Sequence, residues 1–199
     1  PYAQKNVATG RAFEVSGINN WEDLISNTSL LNILKSIYNN YNNMKLTKCQ
    51  LRDEIHEHRF AILPPELWFN SMENQGVLFL NSFFTCDIGK RSSQKKTHKK
   101  IWIEFSCKLL EEIDSKNNKI KWFIWGNSAN ELVSKCNIKG KKYFSYHPSA
   151  SHGGISNIVC FNWSGIAREI NWLGETERGK VEQDLEKCVY LLQKIVNVN

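Results

Sequence analysis

Lys121-Trp122-Phe123-Ile124-Trp125-Gly126-Asn127-Ser128-Ala129 is the stretch whose reading decides the fold class. An apolar run closed by a glycine turn reads as a buried parallel strand feeding a helix. The helix continues from Asn130 to Val133, and a second short run, Tyr143-Phe144-Ser145-Tyr146, then stops at His147-Pro148-Ser149-Ala150. Strands alternating with helices predict an α/β fold with a parallel sheet. In open sheets of this class ligands sit beyond the carboxyl ends of the strands, which is where His147 falls. Two readings of His147 stand side by side: a residue that does chemistry there, or a turn in which Pro148 holds its predecessor extended. Gly126-Asn127-Ser128-Ala129-Asn130 also approaches the strained elbow of serine hydrolases, but it lacks the closing glycine.

Outward from this unit, Val7 to Val15 reads as a loop running into a short strand. Trp21, Leu24, Ile25, Leu30, Leu31, Leu34, Ile37 and Tyr38 recur at helical spacing, with Thr28 or Ser29 able to cap a second helix. Asn39 to Lys48 is polar and reads as a loop. Pro64-Pro65 marks a turn before a short helix at Trp68–Glu73. Gly76-Val77-Leu78-Phe79-Leu80 reads as a buried strand ending in Asn81, which is either a structural turn residue or a ligand contact. The basic run Lys90, Arg91, Lys95, Lys96, Lys99, Lys100 is either a solvated loop or a phosphate-contacting surface. Ile101 to Ile113 has the pattern of an amphipathic helix, and a terminal one is expected over about 179–197.

Composition bounds the partners. A chain of 199 residues is expected to form one domain, 1–199, and an apolar fraction of 41% suffices for a sizeable core. Seven tryptophans and ten phenylalanines could serve core packing or base stacking. A net charge of +6 favours an anionic partner such as nucleic acid or a membrane surface. The six cysteines form no C-x-x-C pair, so no zinc ribbon or clustered iron–sulfur site is indicated; several lie in apolar runs, as reduced, buried thiols of an intracellular protein do. Neither a signal peptide nor a spanning apolar run is visible, so a soluble protein is expected. The opening at Pro1, without Met and in mid-loop, suggests that the native protein continues upstream.

Several of these segments, in this order, resemble the uracil-DNA glycosylase family. Pro1-Tyr2 followed by Ala12-Phe13 is similar to the end of its water-activating loop, which runs into the strand carrying a uracil-stacking Phe. Gly76 to Thr85 resembles the strand with the uracil-reading Asn. Thr97-His98-Lys99 with Trp102 and Phe105 resembles the Ser-His-Lys turn and its helix. Phe123 to Ala129 resembles the Leu-Trp-Gly-Ser-x-Ala segment, and His147-Pro148-Ser149 the His-Pro-Ser motif. The match spans roughly residues 1 to 160, beyond which it fades, and the stretch from Asn162 to Trp172 with the terminal helix reads as a lineage-specific addition.

The resemblance implies a three-layer α/β/α fold with a short central parallel sheet and hydrolysis of the N-glycosidic bond of uracil flipped out of DNA, as in base excision repair. It implies Tyr2, Phe13, Asn81 and His147 as the uracil pocket, with His147 catalytic and a water-activating Asp immediately before Pro1. Gly126, Asn127, Ser149, Ser151, Lys95, Lys96, Lys99 and Lys100 would hold the DNA backbone. It implies no metal, no cofactor and no membrane partner, and the expected partners are single- or double-stranded uracil-containing DNA and a replication or inhibitor protein. A monomer is expected, inside the cell: in a nucleus, or in a bacterial or viral-host DNA compartment. The chain departs from the family pattern at Ala3, where the family has His, at Gly17-Ile18-Asn19-Asn20 in place of a proline-rich loop, and at Ser151 in place of an intercalating Leu, for which Ile155 is a candidate. These departures keep open an alternative, a weak or inactive glycosylase-fold protein that binds DNA or a partner.

Overall fold

Strands β1 (Lys121–Trp125) and β2 (Lys141–Ser145) pair in parallel, with Phe123 opposite Tyr143 and Trp125 opposite Ser145. The computed structural model describes residues 5–23, 27–42, 44–87, 95–117, 119–150 and 170–174, with the side chains of 95–97 outside that description. Among the described residues these two strands form the whole sheet. Around them stand α1 (Thr28–Asn42), α2 (Lys48–His56), α3 (Pro65–Asn74), α4 (Lys95–Lys116) and α5 (Asn127–Val133). The expected terminal helix over about 179–197 lies outside the described residues.

The layers follow from the two-residue period of a strand. Phe123 and Trp125 pack on a core built from α1, α2 and α3, with Leu30, Leu34, Leu51, Trp68 and Met72 at its centre. Trp122 and Ile124 point the other way, onto Leu110 of α4 and Leu132 and Val133 of α5. Helices therefore cover both faces of a short parallel sheet, the three-layer α/β/α arrangement.

Local chemistry explains the helix boundaries. The cap of α1 is Asn27, not Thr28 or Ser29: its Oδ1 accepts from the Leu30 amide at 3.0 Å. The expected loop over Asn39 to Lys48 is shorter than its polarity suggests, because α1 runs to Asn42 and α2 starts at Lys48. Thr47 and Gln50 form a reciprocal capping box there, with bonds of 3.2 and 2.9 Å. Pro65 opens α3 at a position where its missing N–H costs nothing. Helix α4 is longer than expected and starts within the basic run. Its Ile101 and Phe105 are exposed, and Phe105 packs edge-on against Phe84 and Trp102 instead of entering the core.

Two expectations are corrected by long-range packing. Gly76 to Asn81 forms no strand; neither it nor Val7 to Val15 enters the sheet. The segment is extended all the same: Val77 and Phe79 join the first core, Leu80 the second, and Leu78 is exposed. Its Phe79 carbonyl accepts from Ala12 N–H at 3.2 Å, so the two segments meet loop to loop. Trp172, past the segments that carry the resemblance, belongs to the first core: it is buried, and its carbonyl accepts from the Trp68 indole at 2.7 Å. Trp68 in turn meets Trp21, Phe69 and Phe79. These tryptophans serve packing.

The described cysteines are free thiols; Cys49 is exposed, and Cys86, Cys107 and Cys136 are half-buried. Burial, helped by Cys107 at 3.1 Å, pushes the Cys136 thiol up to about 12, which keeps it protonated and unreactive.

One buried carboxylate joins α4 to β1 and to the turn that precedes β2. Asp114 accepts from the Trp122 indole at 2.7 Å and from the Lys139 and Gly140 amides at 2.5 and 2.9 Å. Desolvation pushes its pKa up, but these donors outweigh it and hold the group below its ordinary value. Asp114→Ala is expected to cost about 3 kcal/mol or more, since several buried donors lose their acceptor. Because the folded value is depressed, this contribution is present above the ordinary aspartate range and disappears as pH falls through the folded value. Urea melts of wild type and variant across that range check both statements: the gap should narrow on acidification.

Candidate functional site

The site begins where β2 ends. The Gly126 amide donates to the Ser145 carbonyl at 2.8 Å, tying the β1–α5 turn to the end of β2. Two residues later comes exposed His147, then Pro148, fully buried, whose carbonyl accepts from Asn32 of α1 at 2.7 Å. The Ala150 amide closes the turn on the His147 carbonyl at 2.8 Å. His147 thus projects from a loop fixed on both sides.

Gly126 is required at this junction. Its φ is +90°, and a Cβ there would lie 2.7 Å from the Cβ of His147. Gly126→Ala is expected to cost about 2 kcal/mol from the left-handed backbone alone, an apparent Tm lower by roughly 4–8 °C. Thermal unfolding checks this, and a melting temperature equal to wild type would refute the close approach.

The protonation of His147 follows from its neighbours. Ser149 N–H lies 3.1 Å from Nδ1 and Ser149 Oγ 2.8 Å from the same atom. A backbone amide can only donate, so Nδ1 is an acceptor and the neutral ring carries its proton on Nε2. Nε2 of His147 is therefore a hydrogen-bond donor.

Phe13 stands beside it. Its ring centroid is 6.0 Å from that of His147 and 5.5 Å from that of Trp125. Phe13 has φ +70°, a conformation that bulky residues avoid and that costs about 1–3 kcal/mol. Two residues earlier, Arg11 forks onto both oxygens of Glu73 at 2.7 Å, and also donates to Asn70 at 2.7 Å and Glu14 at 2.9 Å. The hydrogen bond to Glu73 holds the guanidinium above its ordinary pKa against the effect of burial, and the same bond lowers Glu73.

The structure brings Phe13, Gly126, His147 and Ser149 together. Asn81 is half-buried and lies two residues beyond Phe79, whose carbonyl the Phe13 segment engages. Asn127 opens α5 and is exposed. Lys100 is exposed, whereas Lys99 is ion-paired with Glu131 of α5. Tyr2, Ser151, Ile155 and the side chains of Lys95 and Lys96 lie outside the described residues.

Two sets of contacts show only in the structure. One is the Arg11 cluster, whose only sequence signal is the opposite charge at Glu14, three residues on. The other is a ring of side chains following Asn81. Thr85 Oγ1 meets His98 Nδ1 at 2.8 Å and accepts from the Trp102 indole at 2.6 Å, and His98 Nε2 lies 3.2 Å from Asp87. This ring ties the segment after Asn81 to α4.

No family model matches the chain. Among curated proteins it is 30% identical over 184 residues to a uracil-DNA glycosylase of Buchnera aphidicola subsp. Acyrthosiphon pisum, covering 86% of this chain and 71% of the relative. It is 27% identical over 188 residues to the uracil-DNA glycosylase of Mycoplasmopsis pulmonis, covering 94% of this chain and 71% of that one. With the uracil-DNA glycosylase of Clostridium beijerinckii it shares 28% over 140 residues, 67% of this chain and 57% of the relative. The Mycoplasmopsis similarity covers too much of the chain to end at Cys160, which agrees with Trp172 lying in the core. Sequence similarity, a sheet covered on both faces and a histidine beyond the end of β2 lead to one assignment: the chain belongs to the uracil-DNA glycosylase family.

Proposed function

We propose that this protein removes uracil from DNA by hydrolysing its N-glycosidic bond. The observation that carries the reading is the pairing of Phe13 with a His147 whose Nδ1 is occupied by Ser149. An enzyme that acts on a base must take it out of the stack and hold it in a pocket. Phe13 offers a flat apolar face to the flipped ring. Asn81, with one amide donor pair and one carbonyl acceptor, matches uracil O4 and N3–H. Cytosine presents the reverse pattern.

Bond breaking at C1′ leaves positive charge on the sugar and negative charge on the departing uracil. His147 Nε2–H donates to uracil O2, where that charge develops, without transferring its proton. Water then supplies the new C1′–O bond and loses a proton. Its activator is the carboxylate that the family resemblance puts immediately before Pro1; Glu14 is engaged by Arg11 and does not serve in its stead. Tyr2 closes the space beside C5 and excludes the thymine methyl. Lys100, Asn127 and Gly126 face the DNA backbone, joined by Lys95, Lys96 and Ser151, while Lys99 must leave Glu131 to do so.

Release of uracil from a single-stranded oligonucleotide bearing one uracil tests the reading, with the thymine-containing strand as control and the full-length gene product as enzyme. Release from the uracil strand alone is expected. Salt-sensitive DNA binding with no release would overturn hydrolysis and favour a protein that only binds.

A further inference from the structure

We propose that Arg11 is a positioning residue that holds Phe13 in its left-handed conformation at the pocket. This rests on Phe13 being the stacking face described above. The loop bearing Phe13 is outside the sheet, and its backbone is pinned by Ser16 N–H to the Val7 carbonyl at 2.9 Å and Ala12 N–H to the Phe79 carbonyl at 3.2 Å. A phenylalanine at φ +70° relaxes unless its surroundings over-determine it. The Arg11 guanidinium supplies that constraint. Its Nε and Nη2 grip the two carboxylate oxygens of Glu73, both at 2.7 Å. Nη2 also reaches Asn70 Oδ1 at 2.7 Å, so the last turns of α3 form one jaw. Nη1 takes Glu14 at 2.9 Å, on the far side of Phe13 in the chain. Arg11 and Glu14 thus bracket Ala12-Phe13 and fasten both ends to one rigid helix. Only a planar fork makes these bonds together; a lysine ammonium cannot.

The Arg11 guanidinium bonds Glu73, Asn70 and Glu14, so its effect on the pocket passes through Phe13. A misplacement of about 1 Å at a reacting centre can cost about 10²-fold. Arg11→Ala is expected to lower kcat/KM for uracil release by about 10-fold to 10²-fold, and Arg11→Lys to restore little of it. Glu73→Gln, which breaks the fork from the α3 side, should reproduce the loss and serves if Arg11→Ala fails to fold. In a Phe13→Ala background the same changes should cost almost nothing more. Equal losses in both backgrounds, or no loss in either, would overturn the proposal.

Amide exchange supplies a readout independent of turnover. Exchange at Ala12, whose N–H is held by Phe79, should accelerate in Arg11→Ala and Glu73→Gln; unchanged protection refutes the positioning role. If the wild-type protein releases no uracil while Ala12 exchange still responds, the proposed function fails and the clamp stands.

Discussion

His147→Leu is expected to lower kcat for uracil release by about 10²–10³-fold, the usual effect of removing one preorganised donor to a developing anion. The argument rests on the ring's orientation. Ser149 occupies Nδ1, so the only proton the neutral imidazole can offer is on Nε2. Leucine keeps the apolar bulk against Phe13 and Gly126, so the pocket walls survive while the donor is lost. Binding of DNA containing an abasic site should be unchanged, because no uracil O2 is present to be served. Turnover under saturating substrate and abasic-site affinity, measured on the same variant, separate the two roles. If affinity falls in parallel with kcat, His147 shapes the loop and does no chemistry.

The second large effect concerns selectivity. Asn81→Asp is expected to abolish the preference for uracil over cytosine, a discrimination of order 10⁴-fold for a site built on matched hydrogen bonds. A carboxylate cannot donate to uracil O4. When protonated it can donate to cytosine N3 while accepting from the cytosine amino group, so the variant's pocket suits the wrong base better than the right one. Release from paired oligonucleotides differing only in uracil or cytosine checks this. An undiminished uracil preference would remove Asn81 from the pocket. The half-buried side chain at the end of an extended segment is well placed to read a base edge, and the Thr85–His98–Trp102 ring keeps the following residues against α4.

What could be read directly from the sequence was what is encoded locally. β1, the Gly126 turn, α5 and β2 follow from an apolar run, a glycine and a second short run within one β–α–β unit, and the position of His147 beyond β2 comes with them. Helix α3 is announced by Pro64-Pro65. Helix α2 carries a local signal too, Thr47 and Gln50 at capping-box spacing, but the polarity of its flanks hid it and the stretch up to Lys48 read as a loop.

Tertiary structure decided the rest. Gly76 to Asn81 has the composition of a buried strand, yet whether an extended segment joins a sheet depends on which neighbour offers it a ladder, and here Ala12 takes the Phe79 carbonyl. Arg11 meets Glu73 across 62 residues of chain, so no window of sequence contains both. The tautomer of His147 was likewise undetermined until Ser149 folded back onto Nδ1. The sequence by itself determined the class of fold and the residue types available for chemistry, because hydrophobic period, glycine turns and caps act over a few residues. Only the tertiary structure decided that Phe13 stands against His147 in a left-handed conformation, because that depends on bonds and packing between segments far apart in the chain.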